Sequence, residues 1–257
     1  MIEIAGLKKS FFGTPVLQGV DLAVADSERL VIIGGSGCGK SVLLRHIAGL
    51  LKPDTGSLRI DGRDLVPLPE RDLNPIRQGI GVLFQGSALF DSLDVFHNVA
   101  FSLLEHRTAS PKEIRERVAQ VLDVVGMTGQ EGKKPAELSG GMRKRIGLAR
   151  AIISRPRIML YDEPTTGLDP QMADSINRLI LKMSDSFHVT SIVVTHDMTS
   201  AYMVGERIAM LHRGKILVSG APREIQESSD PIVRNFIRGV SEERDGGDGG
   251  EGAKKTL

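Results

Sequence analysis

The glycine-rich stretch from Gly34 to Ser41, GGSGCGKS, constrains the fold of this chain more than any other segment. An apolar run, LVII at 30–33, precedes it, and the helically spaced VLLRHIAGLL follows it and stops near Gly49. Glycines let consecutive backbone N–H groups turn inward around an anion, and the helix N-terminus adds a favourable dipole. The stretch therefore predicts a phosphate-binding loop between a buried strand and a helix. The residues expected to contact the nucleotide are Gly34, Gly35, Ser36, Gly37, Cys38, Gly39, Lys40, Ser41 and Val42.

Such a loop predicts binding of a nucleoside triphosphate. Lys40 is expected to reach the β- and γ-phosphates, and the Ser41 hydroxyl is expected to help hold Mg²⁺. Cys38 lies beside Lys40 and several backbone amides, so one hypothesis is a reactive thiolate. The other is a small loop residue whose backbone matters and whose thiol does not. The motif does not say how the energy of the nucleotide is used.

Two further apolar runs, IMLY at 158–161 and SIVV at 191–194, are typical of buried parallel strands. A helix from about 171 to 183 is predicted between them, with Asp169 as its N-cap and Pro170 at its first position. Strand, helix and strand in this order predict a parallel α/β core with right-handed connections.

Polar residues follow these strands at the edge where ligands of parallel sheets collect. Asp162 and Glu163 follow IMLY; Asp162 is expected to bind Mg²⁺, and Glu163 to polarise the attacking water. His196 follows the next strand, and a contact with the γ-phosphate is expected. Gln85, after the GVLF run, is expected to bridge the metal and the water. The sequence thus predicts Glu163, His196 and Gln85 as catalytic residues, and Ser41, Gln85 and Asp162 as the Mg²⁺ site.

Composition excludes several other classes of protein. The 257 residues carry a net charge of +1 and one cysteine, which argues against a strongly basic nucleic-acid binder, a disulfide framework and a cysteine metal cluster. No run approaches the roughly 18 apolar residues of a membrane span, and the first residues do not resemble a secretory signal. A soluble cytosolic protein is the expectation.

The middle of the chain, about 87–150, has several helical patterns and few strand patterns. The clearest helix begins at Ser110, for which a capping box with Glu113 is predicted, and closes at Gly126. We interpret this region as a helical subdomain inserted into the α/β core. The glycine-rich residues 241–257 are predicted to be a disordered C-terminal tail.

The segment LSGGM at 138–142 heads a helix and completes an ordered set of motifs. Together with the phosphate loop, Gln85, YDEP, the GLD segment at 167–169 and His196, it resembles the nucleotide-binding subunit of an ABC transporter over about residues 2–240. The resemblance implies an α/β P-loop NTPase fold in a single ATPase domain, 1–240. This fold combines a RecA-like parallel sheet, an N-terminal antiparallel β-subdomain and the helical insertion. It also implies ATP hydrolysis with ATP and Mg²⁺ as cofactors.

The resemblance further implies a head-to-tail homodimer that sandwiches two ATP molecules. The residues expected to meet the nucleotide held by the partner are Ser139, Gly140, Gly141, Met142 and Asp169. An aromatic residue near the N-terminus stacks on adenine in this family, and Phe12 best matches that position, with Phe11 as the alternative. Met142 departs from the glutamine that most members have after LSGG.

The same departure, with the stretch at 83–100 and DPIVRNFI near the C-terminus, resembles the ATPases of MCE-type (Mla-type) transporters, which move phospholipid between bacterial membranes. That branch implies an integral-membrane permease, an MCE substrate-binding protein, a small STAS-type regulatory subunit and no nucleic acid. It also implies a peripheral position on the cytoplasmic face of the bacterial inner membrane.

The stretch at 84–101 corresponds to the groove that receives a permease helix in this family. Leu89 and Phe90 are predicted contacts, and Phe84 is predicted to be core. The cations at 143–145 are predicted to form a solvated helix face. Two alternatives remain open: the ATPase of a small-solute importer, and a soluble ABC ATPase without a transport role.

Overall fold

The computed structural model describes residues 1–240 of the chain, so the predicted tail at 241–257 lies outside the described residues. The strands are β1 (Ile2–Phe11), β2 (Thr14–Val24), β3 (Arg29–Ile33), β4 (Thr55–Ile60), β5 (Arg63–Asp64), β6 (Ile80–Leu83), β7 (Ile158–Asp162), β8 (Thr190–Thr195), β9 (Arg207–His212) and β10 (Lys215–Gly220). The helices are α1 (Lys40–Ile47), α2 (Glu70–Gln78), α3 (Val95–His106), α4 (Pro111–Val124), α5 (Gly140–Ile152), α6 (Pro170–Phe187), α7 (Met198–Val204), α8 (Pro222–Gln226) and α9 (Pro231–Arg238).

Two sheets organise the chain. The larger sheet has the order β10-β9-β3-β8-β7-β6, in which β9 to β6 run parallel and β10 is antiparallel to β9. The smaller sheet is antiparallel, with the order β2-β1-β4-β5. This arrangement confirms the predicted fold class, a parallel α/β core with an N-terminal antiparallel sheet.

The central strands are apolar throughout because both faces of the parallel sheet are covered. On β3, Leu30 and Ile32 join the core beneath the antiparallel sheet, whereas Val31 and Ile33 join the core beneath the helices. β7 and β8 alternate in the same way. A single strand therefore contributes to both cores, and the sequence shows a continuous apolar run.

The register of the parallel strands brings their carboxyl ends to one edge. Ile33 of β3 pairs with Thr195 of β8, and Asp162 of β7 pairs with Val194 of β8. The segments that follow β3, β6, β7 and β8 consequently leave the sheet side by side, and these segments carry the residues predicted to bind nucleotide.

Helices α3, α4 and α5 lie between β6 and β7 along the chain. The N-cap of α4 differs in part from its prediction. The Ser110 hydroxyl accepts a hydrogen bond from the Glu113 amide at 3.3 Å, but the Glu113 carboxylate pairs with Arg117 at 2.5 Å. Only the serine half of the capping box therefore forms, because the Glu113 carboxylate pairs with Arg117, one turn along the helix.

Helix α6 begins as the sequence predicts and ends later. Asp169 accepts from the Met172 amide at 3.0 Å and Pro170 is the first helical residue. The helix continues past the predicted end at 183 to Phe187, and His188 ends it in the left-handed conformation. Within residues 1–240, no helix is both long and apolar enough to cross a bilayer.

Candidate nucleotide site

The phosphate loop connects β3 to α1 through backbone conformations that require glycine. Gly34 has φ 153° and Gly39, the N-cap of α1, has φ 107°. A Cβ on Gly34 would meet the Leu211 carbonyl and lie 2.8 Å from Cys38 Sγ, and one on Gly39 would lie 2.7 Å from Leu17. The loop is thus pressed against neighbouring elements. Its tip, residues 35–37, is exposed, as a loop that receives an anion must be.

Lys40 is buried at the mouth of this loop. Its Nζ donates to the carbonyl oxygens of Gly34 at 2.7 Å and Gly35 at 3.1 Å, and lies 4.0 Å from Glu163 Oε1. The ammonium group is therefore held between the loop and the end of β7, where it can meet a terminal phosphate.

Ser41 and Asp162 come together although they are far apart in sequence. The Ser41 hydroxyl donates to Asp162 Oδ1 at 2.9 Å, which joins the first turn of α1 to the end of β7. A hydroxyl and a carboxylate are hard oxygen ligands of the kind that Mg²⁺ prefers. The donor set fits a magnesium ion bound beside the phosphate loop.

Glu163 follows directly and has φ 49°, a left-handed conformation that non-glycine residues adopt rarely. Its amide donates to the Val194 carbonyl at 2.9 Å. Its Oε2 accepts from the Thr166 hydroxyl at 3.0 Å, and His196 Nδ1 lies 2.9 Å from the same oxygen. The carboxylate is thus buried and held in one orientation, while the His196 ring stays more than half exposed.

Gln85 lies two residues beyond β6, with its side chain exposed. The main-chain carbonyl oxygen of Gln85 accepts a hydrogen bond from Lys144 Nζ. The same ammonium group donates to the main-chain carbonyl oxygen of Glu163 at 3.3 Å. The structure therefore joins the backbones of Gln85 and Glu163 through one ammonium group.

The prediction that the cations at 143–145 form a solvated face is wrong for two of the three. Lys144 is 6 % exposed, and burial lowers the pKa of its ammonium group. Arg145 donates to the Val125 carbonyl and to the Ser175 hydroxyl. The helical period could have predicted the burial of Lys144, because this residue lies on the same face of α5 as the buried Leu148 and Ile152.

Cys38 does not have the character of a reactive thiol. It is half-buried, and burial raises the pKa of the thiol, although Lys40 and backbone amides act in the opposite direction. The thiolate is therefore disfavoured at neutral pH, and the thiolate hypothesis is wrong on this point. Cys38 and Val42 both pack against the core beneath the antiparallel sheet.

Phe12 and Gly13 form the two-residue turn between β1 and β2, with φ 49° and 81°. Two positive φ values define the hairpin turn that normally takes Asn-Gly, so a phenylalanine here is unusual. The Phe12 side chain is fully exposed. Phe11 is less exposed, and Lys9 Nζ lies 5.6 Å from its ring centroid. The geometry favours Phe12 as the residue that can stack on a flat ligand.

The LSGG segment forms the N-terminus of α5. Ser139 is the N-cap and accepts from the Met142 amide at 3.3 Å, and Met142 packs against the core beneath the helices. Met172 of α6 packs against Gly141, where a Cβ would meet the Met172 Cε. Among the hydrogen bonds and ion pairs of residues 1–240, none joins Ser139–Met142 to the phosphate loop. Ser139, Gly140 and Asp169 are exposed.

Apolar side chains are exposed just before α3 and in its second half. Phe90 is 41 % exposed, its ring centroid lies 4.5 Å from that of Phe101, and Leu104 is exposed nearby on the same helix. Leu89 is half-buried against the core beneath the helices. The prediction that Phe84 is a core residue is wrong, since it is half-buried and belongs to neither core. We call Leu89, Phe90, Phe101 and Leu104 the apolar patch.

A parallel sheet with a phosphate loop after one strand and a carboxylate pair after another defines a P-loop nucleoside triphosphatase. Residues 17–166 match the ABC transporter family. The chain is 43% identical over 252 residues to a probable ribonucleotide transport ATP-binding protein, mkl, of Mycobacterium leprae, covering 95% of this chain and 72% of that protein. The chain therefore belongs to the ABC transporter family as an ATP-binding subunit, and it is an ATPase.

Other relatives agree with this assignment. The sulfate/thiosulfate import ATP-binding protein CysA of Bordetella bronchiseptica is 39% identical over 246 residues, covering 94% of this chain and 68% of that protein. A dimeric structure of the cassette MJ0796 with ADP and Pi has a TM-score of 0.80 at 32% identity, covering 87% of this chain and 99% of that chain. Clostridium perfringens cbiO1, part of the transporter complex cbiONQ, has a TM-score of 0.81 at 28% identity, covering 92% and 94%.

Proposed function

We propose that this ATPase drives a bacterial transporter that moves phospholipid or another lipid between membranes, together with a permease and an MCE protein. The observation that carries the chemistry is the convergence of Lys40, Ser41, Asp162 and Glu163 at one edge of the sheet. Lys40 binds the terminal phosphates. Glu163 orients and polarises the attacking water, and His196 holds the carboxylate and contacts the γ-phosphate.

Mg²⁺ would be held by Ser41, Asp162 and Gln85, where it neutralises charge on the phosphate oxygens. Phe12 stacks on the adenine, at the tip of a hairpin whose strand β2 packs against the phosphate loop at Leu17 and Gly39. The remaining loop residues supply backbone amides. The roles of the loop and metal residues are supported by their position at the sheet edge and their chemistry, and the role of Phe12 by its exposed ring in the hairpin turn.

The ATP site is completed by a second copy of the chain. Ser139, Gly140 and Gly141 of one subunit offer a hydroxyl, amides and a helix N-terminus to the γ-phosphate held by the other. Asp169 faces the same interface. Met142 replaces an amide side chain with an apolar one that packs inward, so its contribution is restricted to its own subunit. The lack of an internal bond between this segment and the phosphate loop, within residues 1–240, supports the arrangement.

The apolar patch docks the permease, and this contact holds the subunit at the cytoplasmic face of the inner membrane. An exposed cluster of phenylalanine and leucine is suited to receive an amphipathic helix. Support for lipid as the cargo comes from LSGGM, the stretch at 83–100 and DPIVRNFI, which resemble the MCE-type branch. The same branch supports a small STAS-type subunit as a regulator.

The second candidate is the ATPase of a small-solute importer. The 39% identity to proteins named for sulfate/thiosulfate import favours it, and the relative named for ribonucleotide transport offers a further solute class. The chemistry at the ATP site would be the same, because the cargo is selected by the permease.

Purification of the tagged chain from native membranes tests the cargo and the partners together. We expect a permease, an MCE protein and bound phospholipid with the wild type, and loss of all three with Phe90→Glu, because a charge would be buried in the docking surface. Leu217→Glu is the matched control, since Leu217 is exposed to 39% on β10, away from the apolar patch.

Recovery of a permease with a sulfate- or ribonucleotide-binding partner would contradict the lipid proposal. Recovery of no membrane protein would favour the soluble ATPase. Equal retention of the permease by Phe90→Glu and the wild type would move the docking surface elsewhere.

A further inference from the structure

Lys144 is a buried cation that none of the roles above uses. It lies on the inward face of α5, five residues after Ser139, and its side chain is 6 % exposed. Burying an ammonium group is unfavourable unless its protons are bonded. Here the bonding partners are the main-chain carbonyls of Gln85 and Glu163, the two residues that follow β6 and β7 in the site.

Helix α5 holds the segment after β6 at several points. Arg150 donates to the Ser87 carbonyl at 2.8 Å and to the Ala88 carbonyl at 2.6 Å. Gly147 permits close approach, because a Cβ there would lie 2.7 Å from Leu83 and 3.3 Å from the Ser87 Cβ. Of these three helix residues, Lys144 alone also reaches Glu163.

The contact with Glu163 fixes a residue whose backbone is strained. The Glu163 amide is already bonded to Val194, so the hydrogen bond from Lys144 fixes the carbonyl on the other side of the same Cα. With φ at 49°, the carboxylate direction depends on both flanking peptide groups. The side-chain contacts with Thr166 and His196 hold the carboxylate itself, and the two peptide contacts hold the backbone that carries it.

We propose that Lys144 is a positioning residue for ATP hydrolysis, which sets Gln85 and Glu163 relative to each other and to the N-terminus of α5. The inference rests on the proposed roles of Glu163 and Gln85 in hydrolysis.

The test compares Lys144→Met, which keeps the side-chain length and removes the donors, with Lys144→Arg, which keeps charge and donors. Lys112→Met is the matched control, because Lys112 is 83% exposed on α4. For Lys144→Met, we expect kcat to fall about tenfold or more, since small misplacements of catalytic groups cost this much. We expect the ATP dissociation constant to stay within about twofold, and Arg to restore most of kcat.

Hydrogen–deuterium exchange gives a readout independent of turnover. Amides of residues 85–88 and of Glu163, Thr165 and Thr166 should exchange faster in Lys144→Met than in the wild type and in Lys112→Met, because the hydrogen bonds from Lys144 to these segments are gone. If Lys144→Met does not fold, Lys144→Leu, which also has no donor, takes its place, with the same loss of kcat expected.

Wild-type kcat in a folded Lys144→Met or Lys144→Leu protein would overturn the inference. So would a Lys144→Arg protein whose kcat stays as low as that of Lys144→Met, because retained donors would then not matter. Glu163→Gln, measured in parallel, separates the two claims. Full activity of Glu163→Gln would contradict the proposed catalytic site. An inactive Glu163→Gln together with a fully active Lys144→Met would contradict only the positioning role of Lys144.

Discussion

Phe12 and Glu163 both hold left-handed backbone conformations that L-residues adopt rarely. Strain of this kind persists where surrounding structure imposes it, and it concentrates at binding and catalytic sites. The Phe12 side chain is also fully exposed within the described residues 1–240. We interpret the two residues as marking the two ends of one nucleotide, the adenine and the γ-phosphate.

Replacement of Phe12 by alanine tests the adenine end. We expect the ATP dissociation constant, measured by isothermal titration calorimetry, to rise about tenfold, because stacking of one base on an aromatic ring contributes about 1–3 kcal/mol. Phe11→Ala is the control and should change the ATP dissociation constant by less than about twofold. If Phe11→Ala weakens binding instead, the two phenylalanines have exchanged roles.

Between elements, one close approach lies where β6 meets β7 and the end of α5. A Cβ on Gly81 would contact the Met159 sulfur, lie 2.6 Å from the Ala151 carbonyl and lie 3.0 Å from Pro156. We expect Gly81→Ala to lower the free energy of unfolding by about 2 kcal/mol through overpacking, as measured by urea denaturation. Gly132→Ala, which meets open space, should have little effect. Equal stability of both variants would show that this junction is loosely packed.

The elements also show how far the sequence alone could lead. Strand ends, the Asp169 cap and the order of the site motifs follow from local patterns, and the structure has them. The Glu113–Arg117 ion pair competes with the capping box at Ser110. Which of the two forms depends on side-chain geometry, which a local sequence pattern does not give. Lys144 contacts Gln85, which is 59 positions away in the sequence, and Glu163, which is 19 positions away. A local pattern can place Lys144 on the inner face of α5, but only the packing of α5 against the sheet supplies its two carbonyl partners.

Across the whole molecule, the phosphate loop and the LSGG segment are separate surfaces of one chain, each offering half of the chemistry that a nucleotide needs. In the proposed arrangement, two copies meet head to tail and each supplies half of the site. Its net charge of +1 offers little attraction to an anionic lipid surface, which agrees with the proposal that the apolar patch docks the permease.

The most direct test of the account is the molar mass of Glu163→Gln in solution with ATP and Mg²⁺, measured by light scattering beside its rate of phosphate release. Without the carboxylate that polarises water, we expect ATP to bind, hydrolysis to stop and the mass to double relative to the ADP state, because the nucleotide is trapped between two subunits. A protein that stays monomeric with ATP and releases phosphate at the wild-type rate would contradict both the role of Glu163 and the shared site.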